Sequence, residues 1–281
     1  MTGLEENIDA HQHFWSLERG DYHWLSLDMA LLYRDFGPAE LAPFLQRHGI
    51  GGTVLVQAAA TVAETEYMLA IAGKTDFVKG VVGWIDFEST TGPAEIDRLA
   101  EHPKLKGLRP MIQDIPDPEW MLRAAVGPAV AHLQHLGLSF DALVKPRHLE
   151  PLRRFLRLYP ELGIVIDHGA KPDIAGGQFE DWASEMREIA RNDHVYCKIS
   201  GLVTEAAPDW QPGDLTRYLD LLLDAFGPTR LMWGSDWPVV DLAGGYDRWR
   251  DAALDYLARL GHDERRAILG RTAAEFYRLH E

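Results

Sequence analysis

Two histidines one residue apart, in Ile8-Asp9-Ala10-His11-Gln12-His13-Phe14-Trp15, carry the strongest chemical signal in the sequence. In a strand, alternate side chains share a face, so the imidazoles of His11 and His13 project together. Side by side they suit a divalent metal ion or a pair that polarises water. A second signal is Trp233-Gly234-Ser235-Asp236-Trp237-Pro238. Glycine lets the backbone turn there, Pro238 stops the extended run, and Asp236 is left at its rim. The alternative is a turn aspartate that bonds its own backbone. The third signal is Ile166-Asp167-His168-Gly169-Ala170-Lys171-Pro172, where a histidine followed by glycine ends an apolar run. A buried histidine bonded to a backbone carbonyl is its structural alternative.

These residues need a scaffold that brings distant segments together, and the sequence alternates short β-type runs with helical ones from end to end. The expected strands are 7–14, 53–58, 78–87, 105–111, 139–145, 163–168, 195–200 and 231–235, eight in all. Helical patterns lie between them, at 38–48, 63–73, 119–136, 148–159, 179–191 and 214–226. Runs such as Thr53-Val54-Leu55-Val56 are continuously apolar, as parallel strands covered on both faces require. Eight βα units without a compositional break predict an α/β fold, a (β/α)8 barrel of the TIM type in one domain over residues 1–281. The rival is a doubly wound open sheet, which would announce itself by a Gly-rich first turn that is missing here. In a barrel the strand C-terminal ends face the active site, and strands one and eight are neighbours. Asp236 can then meet His11 and His13. Residues 15–36, rich in Trp15, Tyr22, Trp24 and Tyr33, read as a loop over the barrel mouth. Helices at 246–260 and 263–279 close the chain, with Asp263 as an N-cap.

Composition narrows the functions. A formal charge of −15 over 281 residues argues against nucleic acid and against an anionic membrane surface, since both need a basic footprint. No apolar run approaches the ~20 residues of a membrane span. The stretch 1–10 lacks the basic-then-apolar layout of a secretory signal. Cys197 is the single cysteine, which excludes an intrachain disulfide and fits a cytoplasmic setting; its apolar flanks suggest packing rather than catalysis. The histidines outside the three segments, including His23, His132, His135 and His262, fall on helices or loops and read as solvated.

The three segments, in this order, resemble the amidohydrolase superfamily, and within it the sugar-lactonase branch of the L-fuconolactonase and L-rhamnonolactonase type. The likeness runs through Gly107-Leu108-Arg109-Pro110 and Cys197-Lys198-Ile199-Ser200-Gly201-Leu202 to Leu269-Gly270-Arg271-Thr272-Ala273-Ala274, nearly the whole chain. The resemblance implies a distorted barrel, attack of water on a lactone carbonyl, and Asp236 as the base. His11, His13 and His168 would polarise the carbonyl or steady the water. Two-metal members place a bridging lysine or glutamate on strand four and a histidine on strand five. Arg109 and Asp141 stand there instead. At most one divalent ion is therefore expected, a Zn²⁺ held by His11, His13 and Asp236 with His168 nearby, although some lactonases of this branch work without metal.

The expected partner is a small sugar lactone. Hydrogen-bonding and aromatic candidates at the strand ends are Gln57, Trp84, Asp86, Arg109, Lys145 and Lys171, with Trp24 from the long loop and Trp237 beside the base. The cations Arg109, Lys145 and Lys171 keep open a carboxylated lactone of the muconolactone or pyrone-dicarboxylate type. A decarboxylase of the same superfamily shares the His-x-His and terminal aspartate. A binding-only barrel would leave that set without a purpose. Ring size, stereochemistry and oligomeric state are not encoded in any of these patterns.

Overall fold

The computed structural model describes residues 7–279; the expectations about 1–6 and 280–281 lie outside the described residues. Eight parallel strands pair in sequence order, β1 (Asn7–Gln12), β2 (Ile50–Val56), β3 (Val78–Gly83), β4 (Leu105–Leu108), β5 (Ser139–Ala142), β6 (Ile164–Ile166), β7 (Val195–Ile199) and β8 (Leu231–Trp233). A helix follows each: α1 (Pro38–His48), α2 (Val62–Ala72), α3 (Gly92–Ala100), α4 (Gly127–Leu136), α5 (Leu149–Leu158), α6 (Glu180–Ala190), α7 (Pro212–Phe226) and α8 (Gly245–Leu257). The result is a (β/α)8 barrel, nearly closed.

The closure is a seam rather than a ladder. Between β1 and β8 a single bridge pairs Gln12 with Trp237. His13 N donates to Trp237 O (2.7 Å) and Asp236 N to His11 O (2.8 Å). Asp9 supplies the rest: its buried carboxylate accepts Ser235 N (2.8 Å) and Tyr246 Oη of α8 (3.1 Å). Burial pushes that carboxyl up to about 6, against the hydrogen bonds from Ser235, His11 and Tyr246. A Cβ on Gly234 would lie 2.6 Å from the Cβ of His11, so only glycine lets the strands approach this closely.

At the opposite end the chain folds under the barrel. A short α9 (His262–Arg266), a π-helical turn (Ala267–Arg271) and α10 (Thr272–Phe276) carry Ala273, Ala274, Tyr277 and Leu279 against Ile8, Val54, Val82, Val165 and Met232. The expected continuous helix from 263 is thus broken, and α9 starts one residue earlier with Gly261, not Asp263, at its cap.

Several strands end sooner than their apolar runs. The runs 78–87, 105–111 and 139–145 leave the ladder after Gly83, Leu108 and Ala142, and their later residues Ile85, Phe87, Ile112, Leu143 and Val144 stay buried as connecting chain. Apolarity marked burial there, not hydrogen-bonded pairing. The helix expected at 119–136 likewise begins at Gly127, preceded by a 3₁₀ turn at Trp120–Leu122. Among the described residues no helix is long and apolar enough to cross a membrane.

Candidate active site

The strand C-terminal ends converge on a cavity of about 270 Å³. Its polar floor is His13, His168 and Asp236. Asp236 Oδ1 lies 3.3 Å from His13 Nε2, 3.8 Å from His11 Nε2 and 3.9 Å from His168 Nε2. Residues separated by more than 200 positions thus meet across the seam. Their backbones are bent to do so. Asp236 has φ +59°, and His168, Gly169, Ala170 and Lys171 form a run with φ between +49° and +62°. A non-glycine residue in the left-handed region is uncommon and clusters at functional sites. Gly201 abuts this turn, where a Cβ would fall 2.5 Å from His168 Nδ1.

Each imidazole has a distinct second partner. His13 Nδ1 donates to the carbonyl of Val56 (2.7 Å), so Nε2 keeps its lone pair toward Asp236. His168 Nδ1 shares a hydrogen bond with Ser200 Oγ (2.9 Å). Burial pushes His168 down to about 4, against the pull of Asp236 and Asp167, which leaves it neutral near pH 7. His11 is held well below its usual range by burial and by the adjacent Lys198 charge. Burial alone would raise the Asp236 carboxyl, yet His168, His13 and His11 around it hold it well below the ordinary aspartate value. The site therefore presents an ionised carboxylate ringed by three imidazoles.

Beneath the floor lies a buried charge network that the sequence signals did not single out. Lys198 Nζ donates to Asp141 Oδ2 (2.7 Å), reaches Asp167 Oδ1 (3.0 Å), and lies 3.2 Å from His11 Nδ1. Tyr277 Oη donates to the same Asp141 oxygen (2.6 Å) from below. Lys198 and His11 hold Asp167 low against its burial, whereas burial raises Asp141 despite Lys198. A lysine in the otherwise apolar strand Val195–Ile199 was the available signal.

The candidate ligand contacts divide. Arg109, Lys171 and Trp24 line the cavity. Arg109 Nη1 bonds Asp167 Oδ2 (3.2 Å) and lies 3.3 Å from His11 Nε2. Gln57 is buried behind it, accepting from Arg109 Nη2 (2.9 Å) and donating to Arg109 O (3.0 Å), so it braces the guanidinium rather than lining the cavity. Trp84, Asp86, Lys145 and Trp237 are not brought there. Trp84 has its peptide groups clamped by Thr65 Oγ1, Asp86 is exposed and accepts Glu88 N, and Lys145 caps a 3₁₀ turn beside His148. Trp237 packs edge-on between Phe14 and Phe36. The sequence missed the other walls: Met111, Leu143 and Val239 on the apolar side, Gln113 and Asp114 on the polar side. His148, expected among solvated histidines, is buried.

The histidine pair, the distant aspartate and the barrel that joins them match one family throughout: a family model for amidohydrolases aligns with residues 8–279. The chain is an amidohydrolase. An L-fucono-1,5-lactonase from Burkholderia ambifaria is 45% identical over 97% of this chain and 95% of its own length. Another L-fucono-1,5-lactonase, from Burkholderia multivorans, is 39% identical over 98% and 96%. A crystal structure of an amidohydrolase from Burkholderia multivorans with bound zinc superposes with a TM-score of 0.90 at 37% identity, covering 97% of this chain and 99% of that one.

Among the described residues of this amidohydrolase two donor sets have the compactness a metal ion needs: His11, His13 and Asp236, and His11, Asp167 and His168, each with ligand atoms within 4.8 Å of one another. In the first set a lone pair on His13 faces the Asp236 carboxylate at 3.3 Å, two acceptors that only a cation or a proton between them reconciles. That donor chemistry fits a divalent ion. In the second, Lys198 already neutralises Asp167.

Proposed function

We propose that this amidohydrolase opens sugar lactones, with Asp236 as the base. The observation that carries the reading is the single Asp236 oxygen within 3.9 Å of three imidazole nitrogens at the cavity floor. Lactone opening needs an activated water, a polarised carbonyl and a proton for the departing ring oxygen. Asp236, held as a carboxylate in the resting site, takes the proton from water and returns it to the leaving alkoxide. Arg109 and the neutral His168 face the same space as donors toward the carbonyl oxygen. Among the described residues the buried Arg109 Nε makes no hydrogen bond, while Nη1 and Nη2 are held by Asp167 and Gln57.

The substrate class is supported by the two L-fucono-1,5-lactonase relatives and by the cavity itself. At about 270 Å³ it sits at the small end of ligand pockets, roughly 300–1,000 Å³, and suits a monosaccharide-sized ring. Gln113 and Asp114 offer partners for hydroxyl groups, and Met111, Leu143 and Val239 an apolar side. A doubly carboxylated ring is less well served, because the three expected cations are not assembled. Lys145 lies elsewhere, and Lys171 pairs with Glu205 (3.5 Å).

The residues that would hold one Zn²⁺ are His11, His13 and Asp236, with His168 adjoining. Such an ion would supply Lewis-acid polarisation of an oxygen. The cytoplasmic setting proposed here rests on the buried, unbridged Cys197. The deciding experiment is hydrolysis of a panel of six-carbon aldonolactones beside muconolactone- and pyrone-dicarboxylate-type rings. Turnover of a neutral sugar lactone is expected. Turnover confined to the carboxylated rings, or carbon dioxide release without ring opening, would overturn the proposal.

A further inference from the structure

The mouth loop between β1 and α1 is joined to the barrel through a carboxylate that the chemistry above does not use. Glu64 is the third residue of α2 and is fully buried. The N-cap of α2 is Thr61, whose Oγ1 accepts Glu64 N (3.1 Å). In a capping box the Glu64 side chain would return to the Thr61 amide. Here it turns the other way. Glu64 Oε1 and Oε2 accept the amide of Ala58 (2.9 and 3.1 Å), and Oε2 also accepts that of Ala59 (2.8 Å).

Those amides belong to the segment that leaves β2 at the cavity rim, and Ala58 itself lines the cavity. The other side of Ala58 is used as well: its carbonyl accepts Trp24 Nε1 (2.8 Å). Trp24 is the mouth loop's contribution to the cavity wall. Its indole packs edge-on against Trp15 (5.4 Å between ring centroids), which is anchored by its own bond to Arg34 O. A second tie lies alongside. Thr61 Oγ1 donates to Asp21 Oδ2 (3.0 Å), and Arg19 Nη2 bonds the same oxygen (2.5 Å). One chain of contacts thus runs from α2 through Glu64 and Ala58 to the tryptophan at the mouth.

We infer that Glu64 is a positioning residue for substrate binding: it fixes the Ala58–Ala59 backbone so that the Ala58 carbonyl holds Trp24 as a wall of the cavity. The inference rests on the cavity being where the lactone binds, as proposed above. Glu64 touches neither the catalytic floor nor the cavity, so its influence falls on how the ligand is held and not on the hydrolytic step. Without it, two buried amides lose their acceptor, Ala58 shifts, and Trp24 loses the carbonyl that orients it.

The test is a split between the kinetic constants. In Glu64→Ala, KM for the best sugar lactone is expected to rise about tenfold while kcat stays within about twofold, the signature of lost ground-state binding. Hydrogen exchange over residues 57–61, read by mass spectrometry on the free enzyme, is expected to speed up by about tenfold or more in the same variant. Trp24→Phe keeps an aromatic ring but deletes the donor to Ala58 O along with part of the indole wall; it is expected to raise KM as well, and Glu64→Gln combined with it should add little. An unchanged KM in Glu64→Ala, a fall confined to kcat, or fully additive effects in the double variant would overturn the inference. If Glu64→Ala does not fold, Trp24→Phe, Glu64→Gln and their combination decide it on the same criteria. If no sugar lactone is turned over, the function reading falls by itself, and the exchange rates still decide whether Glu64 fixes this backbone.

Discussion

Asp236 combines a left-handed backbone with a carboxylate wedged among three imidazoles, and each feature has a measurable cost if removed. Asp236→Asn keeps the volume and removes the proposed base. Its kcat is expected to fall by about 100-fold or more, the usual worth of a general base, with an unchanged circular dichroism spectrum. A folded Asp236→Asn enzyme with wild-type turnover would show that another group activates the water. The turn that carries His168 is equally exacting. In Gly201→Ala the new methyl meets the His168 ring and must also adopt φ +59°. Displacement of the ring by even ~1 Å is expected to lower kcat/KM by about 100-fold. At this scale the meeting of His11, His13, His168 and Asp236 was legible because their types are rarely needed for packing. Lys198 and Glu64 were not. Their roles come from what surrounds them in space, a lysine among two carboxylates and a glutamate beneath two amides; the apolar strand around Lys198 signals its burial but not its partners.

At the scale of the elements, periodicity located every strand but misjudged where several stop. Apolar residues continue past the ladder because the connections after β3, β4 and β5 are buried under helices. Simple alternation also fails within β1. Asp9, His11 and His13 share a parity, yet the register with β2 slips between Asp9 and Gln12. Asp9 consequently serves α8 through Tyr246, while His11 meets Lys198 of β7. Helix α2 carries a pH-dependent element of stability. Burial raises Glu64 to about 7, against the hydrogen bonds from Ala59 and Ala58. Folding therefore favours its protonated form, so the stabilisation is complete below the ordinary pKa and is lost as pH rises through about 7. At 1.36 kcal/mol per unit the loss amounts to at most about 3 kcal/mol. Glu64→Gln cannot titrate and is expected to gain on the wild type between pH 5 and pH 8. Denaturant unfolding at both values measures this, and an equal stability gap at the two would refute it.

For the whole molecule, eight alternating units with no compositional break made the barrel legible, whereas the break at the π-helical turn before α10 depends on contacts with the barrel floor. Metal content also belongs to this scale, because the donors come from opposite ends of the chain. One equivalent of zinc per chain is expected by elemental analysis, lost on chelation; two tightly held ions would contradict the single-ion reading. The seam that joins β1 to β8 has one more consequence, for the enzyme during its synthesis. Asp236 and His13 are 223 residues apart and meet only when the last strand docks against the first. A ribosome releasing this chain has already exposed both histidines long before the carboxylate emerges. If Asp236 is the base as proposed, a chain cut short of β8 is expected to be without hydrolytic activity, so turnover would report that the last strand has docked.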